Sequence, residues 1–151
     1  MSENVEPIRH RVEVDVPITH LWNVMTDPAT VSQWLGCLNY QAKLGHTFYM
    51  QMDPAKRTAS DLSGATHCDV TALEKPAHFA FSWYMPGTPK TNVSLRLTSV
   101  GPSKTRVDFV HDGWDQFPAE MIRAIRDGLQ NGWGAHALPA LARIAKERGA
   151  R

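Results

Sequence analysis

The stretch of sequence that decides the fold is FPAEMIRAIRDGLQNGWGAHALPALARIAKER, residues 117–148. Its large apolar residues recur three and four positions apart, which places them along one face of an α-helix. They are Phe117, Met121, Ile122, Ile125, Leu129, Trp133, Leu138, Leu141 and Ile144. The pattern predicts a C-terminal helix of about 30 residues, roughly 45 Å long at 1.5 Å per residue. A helix of that length has to bury its apolar face against the rest of the chain.

The middle of this predicted helix contains residues that weaken helices. Gly128, Gly132, Gly134 and Pro139 interrupt the pattern, at about 1 kcal/mol for each glycine and about 3 kcal/mol for an interior proline. One interpretation is a kink, or a break into two helices near Gly134. The other is that the glycines withhold side chains from a cavity, or allow a strand to approach the helix backbone closely.

The first part of the chain predicts one strand and two short helices. Residues 8–16 alternate apolar and charged side chains, as a half-buried strand does. Residues 17–25 and 28–35 then carry apolar stripes at helical spacing. The pair Asp27 and Pro28 separates them, because aspartate caps helix starts and proline is tolerated in the first turn.

The part that follows predicts a meander of strands. Between residues 38 and 111, turn residues separate about six alternating segments. Residues 54–63 are polar and small, which is typical of a loop. Strands followed by a segregated helix favour the α+β class, in one domain that spans residues 1–151.

Composition excludes several kinds of protein. A net charge of +1 without a basic run gives no electrostatic basis for binding nucleic acid. No apolar run reaches the length of a membrane span, and residues 1–7 lack the apolar core of a signal peptide. The two cysteines, Cys37 and Cys68, have no Cys-x-x-Cys spacing. We therefore expect a reduced, cytoplasmic protein.

Several short motifs resemble a known family. The segment LWNVMTDP at 21–28, followed by Gln33 and Trp34, resembles the opening of bacterial relatives of the activator of the ninety-kilodalton heat-shock chaperone (Hsp90) ATPase. The segment 93–114 is similar to that family's last hairpin and its turn into the final helix. Gly132 and Trp133 are similar to its C-terminal helix signature. The family belongs to the START-like superfamily, also called SRPBCC or polyketide-cyclase-like.

The resemblance implies a helix-grip fold, in which about seven antiparallel strands wrap around the C-terminal helix and leave a cavity between. It does not imply a single activity, because the superfamily includes lipid and hormone binders, aromatic cyclases and chaperone co-activators. Function has to be argued from the site.

Metal and nucleophile chemistry find little support in the sequence. In the cluster His67, Cys68 and Asp69, strand alternation sends the cysteine to the face opposite its neighbours, so no metal site is predicted. Cys68 and Cys37 are interpreted as inert thiols, and no phosphate loop or dinucleotide fingerprint predicts a cofactor.

General acid or base chemistry would need a titratable group in a cleft. The candidates are His10, His46, His111 and His136. Arg57 and Arg96 could instead pair with an acidic ligand, but the default interpretation of each is a solvated surface charge.

The best-supported site is an apolar pocket with few polar groups. Its predicted ligand-binding residues are Trp22, Met25, Phe48, Met50, Phe79, Phe81, Trp83, Phe109, His111, Met121, Ile125 and Leu129. In this interpretation, residues 121–129 roof the cavity, and Trp133, Leu138 and Leu141 pack the second half of the helix tightly on the sheet. The alternative is that the same residues form a solid core.

Three functions remain open. The first is a binding protein, monomer or homodimer, that holds a small apolar or aromatic molecule, lipid-like or polyketide-like. The second is a cyclase, hydrolase or lyase that uses a pocket histidine. The third is a chaperone ATPase co-activator.

Overall fold

The computed structural model describes residues 5–51 and 53–148 of the chain. Seven strands form one antiparallel sheet with the order β1-β7-β6-β5-β4-β3-β2. The strands are β1 Ile8–Val14, β2 Cys37–Leu38, β3 Thr47–Met50, β4 Thr66–Glu74, β5 His78–Trp83, β6 Thr91–Gly101 and β7 Lys104–Asp112. The helices are α1 Ile18–Thr26, α2 Pro28–Leu35, α3 Pro54–Thr58, α4 Ala119–Gly132 and α5 Leu138–Arg148. A 3-10 turn, Trp114–Gln116, precedes α4, and a π-helical segment, Trp133–Ala137, joins α4 to α5. The sheet and the C-terminal helix confirm the predicted α+β helix-grip fold.

The two short helices begin and end where the sequence predicts. The Asp27 carboxylate accepts a hydrogen bond from the Ala29 amide at the start of α2, with Pro28 in the first turn. Gly36 ends α2 in the left-handed conformation at φ 66°, which glycine adopts without steric cost. The two-residue β2 is much shorter than the strand predicted from residue 38, because the chain turns inward at the buried Tyr40.

The core lies between the concave face of the sheet and α1, α2 and α5. Leu138 and Leu141 are each about 1% exposed, and α5 contacts both α1 and α2. Leu138 and Leu141 are therefore buried as predicted, but α5 packs mainly against α1 and α2 rather than on the sheet. The first half is different, since Ile122 is the buried residue of α4.

The predicted break into two helices near Gly134 does not occur, because the chain stays helical through a π-helical segment, a kind of irregularity at which long helices kink. Gly132, Trp133 and Leu138 all keep right-handed helical backbone angles, and the Leu138 amide donates to the Trp133 carbonyl five residues earlier. The helix is therefore continuous and widens by one residue in the π-helical segment.

The His10 ring from β1 packs against this π-helical segment. Its Nε2 donates to the Gln130 carbonyl at 2.9 Å, across from β1. A Cβ on Gly134 would lie 2.6 Å from His10 Cε1, which is closer than real Cβ contacts. The close approach predicted for the helical glycines therefore occurs at Gly134. At Gly128 and Gly132 a Cβ would meet open space.

Candidate functional site

A cleft of about 580 Å³ opens between α2, the β3–β5 edge of the sheet and the C-terminal helix. Its apolar lining is large and aromatic. The lining residues are Ser32, Gln33, Trp34, Leu35, Gly36, Met50, Arg57, Thr66, Trp83, Leu129, Gly132, Trp133, His136, Ala137 and Ala140. The cleft is the space that a helix-grip fold leaves between sheet and helix.

Three of the predicted pocket residues line this cleft. They are Met50 from β3, Trp83 from β5 and Leu129 from α4. Trp83 is half-buried: its ring packs edge-on against the buried His111 ring, with centroids 5.3 Å apart, and also lines the cleft. Trp34 and Trp133 complete the aromatic wall.

Six other predicted pocket residues lie in the packed core and are not among the residues that line the cleft. Trp22, Met25, Phe48, Phe79, Phe81 and Phe109 are all 4% exposed or less. Edge-on aromatic contacts fill this region, for example Phe48 against Phe81 with ring centroids 5.3 Å apart. These six side chains therefore pack against neighbouring residues and do not line the predicted cavity.

Met121 and Ile125 do not roof the cavity. They are 56% and 49% exposed, because α4 packs through Ile122 and Trp133 and turns its other face to solvent. The Arg126 side chain also holds α4 towards the start of β1, where its Nε donates to the Glu6 carbonyl at 2.9 Å. Of the three apolar residues predicted to roof the cavity, Leu129 therefore lines the cleft, whereas Met121 and Ile125 do not.

His111 is fully buried behind the cleft wall, and its hydrogen bonds fix its tautomer. The Trp133 indole donates to His111 Nδ1 at 3.1 Å, so Nδ1 is an acceptor. The Nε2–H therefore donates to Thr91 Oγ1 at 2.8 Å, and that hydroxyl donates to the Trp83 carbonyl at 2.6 Å. Burial lowers the pKa of His111 from 6.5 to about 3. His111 is thus a neutral, fully bonded group that joins the helix to β7.

Of the other three histidine candidates, two contact backbone carbonyls and the third is exposed to solvent. His10 is bonded to the helix backbone, and the His46 ring contacts the Asn39 carbonyl on the surface. His136 is exposed and lines the cleft. The geometry therefore removes His10 and His111 as proton-transfer groups, since both are held by hydrogen bonds away from the opening.

The strand cluster at 67–69 divides as alternation predicts. Cys68 is fully buried, whereas the His67 ring packs edge-on against Tyr49 with centroids 4.9 Å apart on the opposite face. Asp69 accepts from Thr47 and Lys90 on that outer face. Burial raises the pKa of Cys37 to about 12 and the pKa of Cys68 well above its usual value, so both thiols stay protonated.

Sequence reasoning missed the short helix α3 and the residue that it brings to the cleft. Asp53 caps α3 by accepting from the Ala55 amide at 3.0 Å, with Pro54 in the first turn. Asp53 and Pro54 are the same signal as the Asp27–Pro28 pair that predicts the start of α2, and they lie at the start of the segment predicted as a loop. Because α3 forms, Arg57 lies at the cleft, whereas Arg96 is exposed on β6 away from it.

A second depression, of about 610 Å³, lies beside the π-helical segment. It is more open to solvent than the cleft and is lined by polar or small residues: His10, Asp127, Gln130, Asn131, Gly134 and Ala135. The aromatic cleft is the better-formed site, because binding pockets are mostly apolar with a few placed polar groups.

The seven-stranded sheet, the continuous C-terminal helix and the cleft between them define the START-like class of proteins. A family profile described as "Activator of Hsp90 ATPase homolog 1-like protein" matches residues 15–146. The chain therefore belongs to this family. The comparison with curated proteins found no match.

Solved structures from bacteria and a protozoan share the fold. A Mesorhizobium loti protein superposes with a TM-score of 0.75 at 20% identity, over 97% of this chain and 100% of that one. The Aha1 dimer from Colwellia psychrerythraea gives 0.68 at 18% identity, over 96% and 100% of the two chains. An HSP90 activator from Plasmodium falciparum gives 0.65 at 19% identity, over 91% and 94%. No helix in residues 5–51 and 53–148 is long and apolar enough to cross a membrane.

Proposed function

We propose that the protein binds a small apolar or aromatic molecule, lipid-like or polyketide-like, in the cleft between the sheet and the C-terminal helix. The observation that carries this proposal is the wall of three tryptophans, Trp34, Trp83 and Trp133, around about 580 Å³ of space. Small-molecule sites fall in the range of roughly 300–1,000 Å³ and are lined mainly by apolar and aromatic side chains. Trp83 is the half-buried ring of the three, whereas Trp34 and Trp133 are 3% and 2% exposed.

Two glycines on the helix supply a matched pair of variants for a test. Gly132 lines the cleft, and Gly128 lies one turn earlier and does not. A Cβ at either position meets open space, so neither backbone site resists a side chain. Gly132→Phe should fill the cleft, whereas Gly128→Phe should place its ring outside it.

The test titrates both variants and the wild type with N-phenyl-1-naphthylamine, a neutral probe whose fluorescence rises in apolar sites. We expect binding by the wild type and by Gly128→Phe, and binding weakened about tenfold or more in Gly132→Phe, with urea unfolding as the control for stability. Equal affinity in all three proteins would place the probe elsewhere and refute the proposal. We further propose that the protein acts in the cytoplasm as a monomer or a homodimer.

The exposed face of α4 favours a second candidate function, activation of a chaperone ATPase. Met121 and Ile125 lie one turn apart there, 56% and 49% exposed, and offer two adjacent apolar side chains to a partner. A similar structure is described as an HSP90 activator. Stimulation of the host chaperone's ATPase by the wild type, reduced in Met121→Ser with Ile125→Ser, would support this role, and no stimulation would remove it.

A further inference from the structure

Arg57 brings a positive charge to one end of the cleft. Its Nη1 donates to the Gln51 carbonyl at 2.8 Å, which fixes the direction of the side chain. The same nitrogen lies 2.9 Å from the place where a Cβ on Gly36 would be. Glycine at position 36 therefore does two things: it ends α2 with a positive φ, and it leaves room for the guanidinium.

The two acidic residues nearest in sequence form no ion pair with Arg57, and their carboxylates accept from other groups. The Asp53 carboxylate accepts from the Ala55 amide as the cap of α3. The Asp61 carboxylate accepts from the Ser63 amide at 2.9 Å and from its hydroxyl at 2.7 Å. Within residues 5–51 and 53–148, Arg57 forms no ion pair.

The cleft itself offers no counter-ion either. The residues that line it include no aspartate and no glutamate. The nearby Cys37 thiol stays protonated, because burial raises its pKa to about 12. An arginine keeps its charge in any protein environment, so this apolar cleft carries a permanent unpaired cation at its edge.

We propose that the ligand of the cleft is a monocarboxylate with an apolar body. Arg57 Nη1 is engaged by Gln51, and Nε and Nη2 are left to bond the carboxylate, since a guanidinium matches the two oxygens of such a group. The apolar body would lie along Trp83, Leu129 and Trp133. This inference rests on the proposed function of the cleft and names the class of its ligand.

The test compares acids with neutral molecules of the same shape. Dodecanoate is paired with dodecanol, and 2-naphthoate with 2-naphthamide, each competing against N-phenyl-1-naphthylamine. The proteins are the wild type, Arg57→Gln, Arg57→Lys and the control Arg96→Gln, which removes an exposed arginine of β6 instead. The two pairs also distinguish a fatty acid from an aromatic acid as the preferred body.

For the wild type and Arg96→Gln, we expect at least one acid to bind about tenfold more tightly than its neutral partner. A hydrogen bond to a charged group is strong enough to produce a difference of this size. Arg57→Gln should abolish that preference and leave the neutral affinity within about twofold, and Arg57→Lys should keep part of it. If Arg57 only holds the Gln51 carbonyl, Arg57→Gln will change acid and neutral affinities equally, which overturns the inference while the cleft function stands. If the neutral molecules and the probe fail to bind the wild type at all, both proposals fall.

Discussion

The hydrogen-bond network of His111 predicts how stability depends on pH. The pKa of His111 is 6.5 in the unfolded chain and about 3 in the folded protein, because burial disfavours the charged ring. Between these two values the unfolded state binds one more proton than the native state. Stability is therefore fully present above about pH 6.5 and falls as the pH decreases towards 3.

The magnitude follows from the distance between the pH and the unfolded pKa. A pH of about 5 lies roughly 1.5 units below the pKa of the unfolded state, and each unit is worth about 1.36 kcal/mol. Protonation of the ring therefore stabilises the unfolded state by about 2 kcal/mol at this pH. At about pH 7.5, the same contribution is close to zero. This group alone should therefore lower the free energy of unfolding by about 2 kcal/mol on acidification.

The variant His111→Asn isolates that contribution. Its amide oxygen supplies an acceptor for the Trp133 indole, and nothing at position 111 then titrates in this range. The assay is equilibrium urea unfolding of both proteins at about pH 7.5 and pH 5. We expect the wild type to lose about 2 kcal/mol more than the variant, because all other titrating groups are common to both. Equal losses would show that His111 is not held neutral, and the network described above would be wrong.

Two further predictions concern the C-terminal helix. Trp133→Ala should lower the free energy of unfolding by about 3–5 kcal/mol, because it empties a buried site and removes the donor to His111. Met121→Ala should lower it by less than about 0.5 kcal/mol, because that side chain is exposed. Urea unfolding measures both, and a larger loss for Met121→Ala would reverse the assignment of buried and exposed faces. Gly128→Ala should stabilise the helix by up to about 1 kcal/mol, because a Cβ there meets open space. Gly134→Ala should destabilise the protein, because the Cβ would collide with the His10 ring. A gain in melting temperature for Gly134→Ala would contradict the close approach.

The sequence predicts the fold through local signals that tertiary contacts do not override. The strand alternation of residues 8–16, the Asp27–Pro28 cap and the apolar spacing of residues 117–148 each correspond to an element of the structure. These signals are strong because each depends on the chain's own periodicity or backbone chemistry.

The site was predicted less well, because periodicity identifies a buried face but not where that face leaves a gap. Phe81 and Trp83 share one face of β5, yet the first lies in the packed core and the second at the cleft. Met121 and Ile125 have helical spacing, yet the rotation of α4 exposes them. The close approach of His10 to Gly134 is likewise a contact between residues 124 positions apart in sequence, which no local pattern contains. Arg57 was among the candidates for an acidic ligand, but its position depends on the undetected helix α3.

The central claim, a ligand between sheet and helix, is tested most directly by the indole N–H signals of the five tryptophans in a ¹H–¹⁵N correlation spectrum. Trp34, Trp83 and Trp133 line the cleft, whereas Trp22 and Trp114 are not among its lining residues. Titration with N-phenyl-1-naphthylamine should shift the first three signals in a saturable way and leave the other two nearly unchanged. Five signals that stay in place at high probe concentration, or shifts confined to Trp22 and Trp114, would contradict a binding site in this cleft.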